Sequence, residues 1–535
     1  MNEALNSKNR LEGLSLIILL AACLVFRFRI GNIGMGYMLT CFVFYEVMWV
    51  VFGERLSEVV GRIIRGKFSK NKFKSARLVQ RYSSSMTYFS AVLGAVLIGT
   101  VGSYFLKNIF KISHAYYLIW FFAVLFIIRL LSENTGAYLC SRKNSIMIFG
   151  AVSVVRQILI AVFGNICISL IGGYGNKVAL LYKQEDFSAL YSCFAIMFAA
   201  IVSELLVLVL LLIVKLLNRK HDHDYEEEYF GRKDNTGNVF IMVWQRRIFE
   251  AISTLFIIFP FVSGVLVLYS KSENTYLTTE KIGLFGTSVL IPAILFCIFG
   301  YLMLVPLVSE VTGYYRQNKM RYAQNSFQTG IHLSFIYGSF GCIYLVALSN
   351  IIASMYNEES KELISKLVVY GGFSALTMLA SLFMLRMLIA NGLVILTYLV
   401  QIPADVIFVV LLNVFVKKSE DVTVAFALAL LISFIAKFIG YLVISIIKME
   451  MNFDPIGNMF VPMVVAAVVC VINVFLTKVI SPHLGNPFTL LITLFEMALL
   501  YLVILLLSRN FKDNEIDYLP LSKFVYNLGQ TLRVF

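Results

Sequence analysis

Eleven charged side chains stand inside or at the ends of long apolar runs, where charge is costly and needs a reason. They are Arg27, Arg29, Glu46, Arg129, Glu133, Arg156 and Glu204 in the first half, and Arg386, Asp405, Lys437 and Glu496 in the second. Ionisable groups at membrane depth face a bundle interior or a watery chamber and pair with one another or with a substrate. The cations could attract an anion such as phosphate: arginine in a bidentate way, lysine as a compact charge. The carboxylates Glu204, Asp405 and Glu496 could hold a coupling proton or sodium ion. For Arg156 and Lys437 the other reading is an interhelical salt bridge to Glu204, Asp405 or Glu496. Arg129 and Glu133 lie one helical turn apart and can pair. Arg27 and Arg29, two apart, point to nearly opposite sides of a helix, so one faces inward and the other snorkels. Arg386 lies close to a span end, where snorkelling also accounts for it.

The elements that must position these charges are membrane helices. Hydrophobic residues make up 59% of the 535 residues and charged ones only 14%. Soluble domains carry roughly 45–50% apolar and about 25% charged residues. Apolar runs of about 20 residues recur along the chain, each long enough for a ~30 Å hydrocarbon core. A backbone in lipid must satisfy its own hydrogen bonds, so such runs are helices; a β-barrel would alternate in short segments. The pattern gives fourteen spans, at 13–29, 37–52, 83–105, 114–135, 145–171, 187–215, 247–269, 283–310, 327–350, 366–389, 392–415, 422–447, 456–479 and 487–508. Glycine and asparagine between the first two spans, and again at Ala390-Asn391, allow tight reversals. The pattern Leu20-Ala21-Ala22-Cys23 reads as part of an uncleaved first helix rather than a lipoprotein cleavage box, because Glu12 intrudes and many spans follow.

Putting the N-terminus inside leaves 28 Lys and Arg in cytoplasmic segments and 13 outside, so both termini are expected in the cytoplasm. The net charge of +14 follows the same bias and does not call for nucleic acid. The eight cysteines form no C-x-x-C pair, so neither a disulfide framework nor zinc is expected. The linker near 216–246 carries His221 and His223 beside acids, which reads either as a metal site or as a solvated connector; the flexible setting favours the connector. His332 reads as a buried, hydrogen-bonded histidine or as a proton relay. Pro260, Pro292 and Pro306 read as hinges or as simple kinks. No catalytic set, glycine-rich phosphate loop or cofactor motif emerges.

A short motif is duplicated. Ser57-Glu58-Val59-Val60-Gly61 recurs as Ser309-Glu310-Val311-Thr312-Gly313. A basic stretch follows each copy: Asn71-Lys72-Phe73-Lys74-Ser75-Ala76-Arg77, then Asn318-Lys319-Met320-Arg321-Tyr322-Ala323-Gln324. Six spans separate the copies, so both face one side and the repeat is parallel. The expected organisation is an N-terminal lobe at 1–217, a linker at 218–246, a C-terminal lobe at 247–448, an appended helix pair at 449–508 and a tail at 509–535.

With these motifs the chain resembles the multidrug/oligosaccharidyl-lipid/polysaccharide exporter superfamily. That family carries, once per lobe, a span ending in a small/acidic turn followed by a short basic amphipathic helix. The first copy here has five extra residues, Lys67 to Asn71. The turn Gly31 to Tyr37 and the segment Tyr138 to Asn144 are similar to further family segments, less closely. Fourteen spans resemble the flippase branch for lipid-linked sugars, which includes sporulation protein B-like proteins and lipid II flippases; twelve are usual in the drug-antiporter branch. The resemblance implies a bacterial inner-membrane flippase or exporter of an undecaprenyl-type lipid-linked oligosaccharide, with alternating access around a central cationic cavity. The cavity set would be Arg27, Arg29, Glu46, Arg129, Arg156, Asp405 and Lys437. The partners implied are the lipid-linked glycan, membrane lipid and H+ or Na+, with the protein working as a monomer. A cation-coupled drug antiporter would instead use Glu46, Glu204 or Asp405. A polytopic glycan polymerase or ligase would need a large extramembrane loop, and no loop here exceeds the linker.

Overall fold

A computed structural model describes residues 2–70, 72–112, 114–141, 146–183, 186–220, 236–356, 360–419, 421–511, 513–519 and 522–532. His221 and His223 lie outside the described residues. The chain is an all-α, multi-pass membrane protein, and no strand occurs among the described residues. It forms two compact units, Met1–Gly283 and Leu284–Phe535.

The first unit holds α1 (Asn2–Phe52), α2 (Leu56–Phe68), α3 (Phe73–Tyr104), α4 (Tyr116–Cys140), α5 (Ile146–Tyr182), α6 (Asp186–Lys220), α7 (Thr236–Ser270) and most of α8 (Thr275–Phe285). At 51 residues, α1 would run about 77 Å if straight, more than twice the hydrocarbon core. It is a hairpin. Gly31 breaks it at φ 69°, ψ −179°, a conformation that glycine adopts without the Cβ clash of other residues. The ends of α1 confirm the reversal. Lys8 packs on Gly150 and stands 5.4 Å from the Phe149 ring. Just past the other end, Gly61 abuts Ala137 and Cys140, and Arg65 donates to the Cys140 carbonyl. The turn lies at the far end of the unit, where Tyr37 donates to Asp186 at 3.3 Å. Among the described residues thirteen helical stretches are long and apolar enough to cross a membrane; the first, Ser7–Phe68, contains this hairpin, which brings these crossings to fourteen.

The second unit continues the eighth span through a π-helical turn, Gly286–Leu290, into α9 (Ile291–Arg316). It goes on through α10 (Met320–Ala347), α11 (Ser349–Ser354), α12 (Lys361–Ala390), α13 (Val394–Lys418) and α14 (Val422–Met449). Then come α15 (Val461–Leu484), α16 (Asn486–Leu507) and the short α17 (Asp513–Ile516) and α18 (Ser522–Thr531). Helices α9, α10 and α12 pack mutually, with α10 deeply buried, and α15 docks on α10 and carries α16.

The duplicated motif folds alike in its basic half and differently in its acidic half. Lys72 and Lys319 both cap the following helix, at φ −94°, ψ 61° and φ −90°, ψ 66°. Each donates its N–H five residues back, Lys72 to Lys67 at 3.0 Å and Lys319 to Tyr314 at 3.0 Å. The alanines Ala76 and Ala323 are both buried. The Ser-Glu halves diverge because Arg55 takes a left-handed conformation, φ 54°, and ends the second span. Ser57 and Glu58 therefore open the separate amphipathic helix α2, whereas Ser309 and Glu310 ride the last turns of an unbroken α9.

Polar partners follow that difference. Glu58 pairs with Arg62 at 2.7 Å and Arg55 at 3.6 Å. Glu310 instead accepts from Tyr518 of the C-terminal segment at 2.5 Å and from Ser326 at 3.3 Å. The same segment holds His332. Its Nδ1 lies 2.9 Å from Glu515, and its Nε2 lies 2.8 Å from the Asn510 amide nitrogen. Both His332 and Glu515 are buried, so the hydrogen-bonded reading of His332 fits the structure.

Candidate functional site

Four of the seven charges of the first half, Arg129, Glu133, Arg156 and Glu204, gather into one network carried by three helices. Arg156 of α5 and Glu204 of α6 meet at 2.6 Å between Arg156 Nε and a carboxylate oxygen. Arg129 of α4 reaches the same carboxylate at 3.5 Å and, one turn along its own helix, Glu133 at 3.6 Å. The network is graded in depth. The Arg156 and Glu204 side chains are each 2% exposed, Glu133 11% and Arg129 23%. Arg129 also lies 5.4 Å from the Trp49 ring, which is stacked on Tyr45. An indole face beside a guanidinium favours the cation electrostatically.

Local packing explains the gathering. Helices α5 and α6 pack along their length, and α4 lies against α6. A guanidinium among apolar helices needs an anion within reach, and Glu204 is the only carboxylate that ion-pairs with Arg156 among the described residues. Glu204 thus serves two arginines. Two guanidinium groups face two carboxylates, and the network is close to neutral.

In the second unit, Lys437 of α14 pairs with Asp405 of α13 at 2.7 Å, and their side chains are 2% and 4% exposed. The Lys437 ammonium also lies 5.4 Å from the Phe434 ring. Sequence reasoning left two roles open for Arg156 and Lys437, and the structure gives each the carboxylate that the salt-bridge role requires. Both are sealed by their surroundings, and neither presents its charge to water here. The most exposed cation of the first network is Arg129, which spacing alone marked as a partner for Glu133.

The remaining sequence candidates fall elsewhere. Arg27 is buried and donates from Nε to Asn32 at 3.2 Å, while Arg29 is exposed, so the two-residue spacing splits them inward and outward. Arg386 is half-buried. Glu46, on the returning limb of α1, is half-buried and makes no ion pair among the described residues; it lies in the field of Glu54 and, more weakly, of Arg129. Glu496 of α16 is also half-buried, and its Oε2 has no hydrogen-bond partner. Glu204 and Asp405 are committed to cations; Glu46 and Glu496 are not. Among the described residues no group of histidine, cysteine and acidic side chains is placed to hold a metal ion.

No family model and no curated relative matches the chain. Solved structures do. The lipid II flippase MurJ in an inward closed conformation superposes with a TM-score of 0.58 at 14% identity, over 92% of this chain and 96% of that one. An inward-facing multidrug resistance MATE family transporter of the MOP superfamily gives 0.54 at 14% identity, over 82% and 92%. A MOP superfamily transporter from Pyrococcus furiosus gives 0.52 at 12% identity, over 83% and 96%. At such identities the likeness is one of fold. This chain has the fold of the MOP exporters, one shared by flippases and drug transporters.

Proposed function

We propose that this protein is a flippase or exporter of an undecaprenyl-type lipid-linked oligosaccharide in the bacterial inner membrane, serving polysaccharide or cell-wall synthesis. Two lobes, 1–217 and 247–448, work by alternating access. The observation that carries this reading is the appended pair α15–α16. Large apolar side chains cover its outward faces, among them Val464, Val471 and Phe475 on α15 and Phe488, Leu491 and Phe495 on α16. The pair adds lipid-facing surface beside α10, as a substrate with a long hydrocarbon tail requires. The superposition with the lipid II flippase covers 92% of the chain against 82% for the MATE transporter. Ten per cent of 535 residues is roughly the length of residues 456–508. The size of this difference supports the flippase branch over a drug antiporter.

The substrate's pyrophosphate and glycan must cross without entering hydrocarbon, so they need a polar route with fixed cations. Arg129 is placed to meet the phosphate, because it is the rim member of its network. One further feature supports cation coupling. Glu46 makes no ion pair among the described residues, so it can take up a proton while the phosphate occupies Arg129 and release it when that cation's field returns.

The test is transport. Vesicles holding the purified full chain should move a fluorescent undecaprenyl-pyrophosphate oligosaccharide out of reach of a membrane-impermeant quencher, faster than empty vesicles. Proton-driven movement of a lipophilic cationic dye, with no effect on the lipid-linked sugar, would replace the flippase reading with the antiporter.

Orientation is checked separately. With the native cysteines replaced, Lys72→Cys and Lys319→Cys should both resist an impermeant maleimide in intact cells. Labelling of either from outside would reverse the proposed topology.

A further inference from the structure

We propose that the first unit carries a saccharide-binding pocket at the end away from Lys8, which takes one sugar ring of the transported glycan; the identity of that ring rests on the flippase reading. The pocket is a cavity of about 290 Å³. Four segments build it: the start of the returning limb of α1 with Tyr37, the α3–α4 loop with Lys111 and His114, the first residue of α6, Asp186, and the first turns of α8 with Tyr276 and Thr279.

Its wall chemistry selects among ligands. Among the described residues Ile112 is the only aliphatic side chain in the lining, so a lipophilic drug or an acyl chain would gain little burial there. A phosphate would meet Lys111 but also the Asp186 carboxylate, which repels it. A hydroxyl-rich ring fits both. Asp186 accepts from sugar hydroxyls, Lys111 donates to them or to one acidic substituent, and a tyrosine face covers the apolar C–H side of the ring.

In this conformation the pocket's walls are held together. Two glycines lock its α1 and α8 walls by reciprocal close approach. A Cβ on Gly36 would stand 1.9 Å from the Thr279 carbonyl oxygen, and one on Gly283 would stand 1.8 Å from that of Asn32. No residue but glycine fits either place. Beneath the pocket, Tyr269 joins the hydroxyls of Thr279 at 2.9 Å and Thr40 at 3.3 Å, and its ring stacks on Phe110 at 4.4 Å. Tyr37 holds Asp186 at 3.3 Å, and His114 packs on Phe187 at 4.9 Å. Walls fixed in this way lose little freedom when a ligand enters. In the proposed orientation the pocket lies on the outer face, where a delivered glycan emerges.

The experiment is saturation-transfer NMR on the full chain in lipid nanodiscs, with N-acetylglucosamine, glucuronate and inorganic phosphate as probes. At least one sugar should receive saturation in the wild type. Asp186→Asn and Tyr276→Ala should each weaken its binding by about tenfold or more, the scale of one lost charged hydrogen bond or ring contact. Tyr276→Phe keeps the ring and should retain the signal, which separates loss of the site from loss of the fold. Absence of sugar signal in the wild type, unchanged binding in both weakening variants, or displacement of the sugar by phosphate would each overturn the proposal. Lipid-linked sugar transport is measured on the same preparation. Transport without sugar binding removes the pocket and leaves the flippase; sugar binding without transport does the reverse.

Discussion

Arg156→Gln is expected to destabilise the first unit by about 3–5 kcal/mol, the range for breaking one side of a buried ion pair. The Arg156 and Glu204 side chains are each only 2% exposed, and glutamine cannot supply the lost charge. Glu204 would then rely on Arg129 at 3.5 Å, a longer and more exposed contact. The measurement is thermal and denaturant stability of the purified protein in detergent. Arg156→Gln combined with Glu204→Gln should recover much of the loss, because the double variant leaves no under-compensated carboxylate at that depth. The same logic applies to Lys437→Gln with Asp405→Asn in the second unit, at 2.7 Å. A fully stable Arg156→Gln protein that no longer moves substrate would sink the structural assignment and return Arg156 to the transport path.

That result would also show where sequence reasoning meets its limit. The charges themselves were legible, because eleven ionisable groups in apolar runs cannot be hidden. So was the Arg129–Glu133 pair, since four residues make one helical turn. The partner of Arg156 was legible only as a choice among Glu204, Asp405 and Glu496: 48 positions separate it from Glu204, and the packing of α5 on α6 brings them together. Depth was not legible either. Arg129 and Arg156 both sit well inside apolar runs, yet one lies at the rim of the network and the other is sealed.

The fold shows the same division. Local signals sufficed for the helices, for the reversal at Gly31 and for the duplicated turn at Lys72 and Lys319, because each depends on a few neighbouring residues. The left-handed break at Arg55, which moves the first Ser-Glu copy onto its own helix, carries no glycine or proline at that position to announce it. The C-terminal segment was missed as a structural part. Glu515 and Tyr518 find His332 and Glu310 across about 180 and 210 positions of sequence, a distance that no local pattern spans. The Gly36–Thr279 and Gly283–Asn32 contacts were hidden for the same reason.

Arg129→Gln is expected to have the largest effect on transport and a much smaller one on stability. Its side chain is 23% exposed, so a substrate anion can reach it, and removing it leaves Arg156 paired with Glu204. In the proposed mechanism the pyrophosphate takes over a face of the guanidinium now turned to Glu133 and Glu204 at 3.6 and 3.5 Å. Exchanging one anion for another keeps the cation paired throughout, which avoids the cost of a bare charge at membrane depth. The released carboxylate is then free to take a proton, with Glu46 as a second acceptor in the same field. A charge-assisted bidentate contact of this kind contributes about 2–3 kcal/mol, so transport at low substrate should fall roughly 30- to 150-fold. Arg129→Lys keeps the charge but loses the fork, and should recover only part of the rate. Stability of both variants is read alongside flux in reconstituted vesicles. Wild-type flux in Arg129→Gln, at equal protein density, would show that phosphate passes without this cation and would remove the network from the transport path.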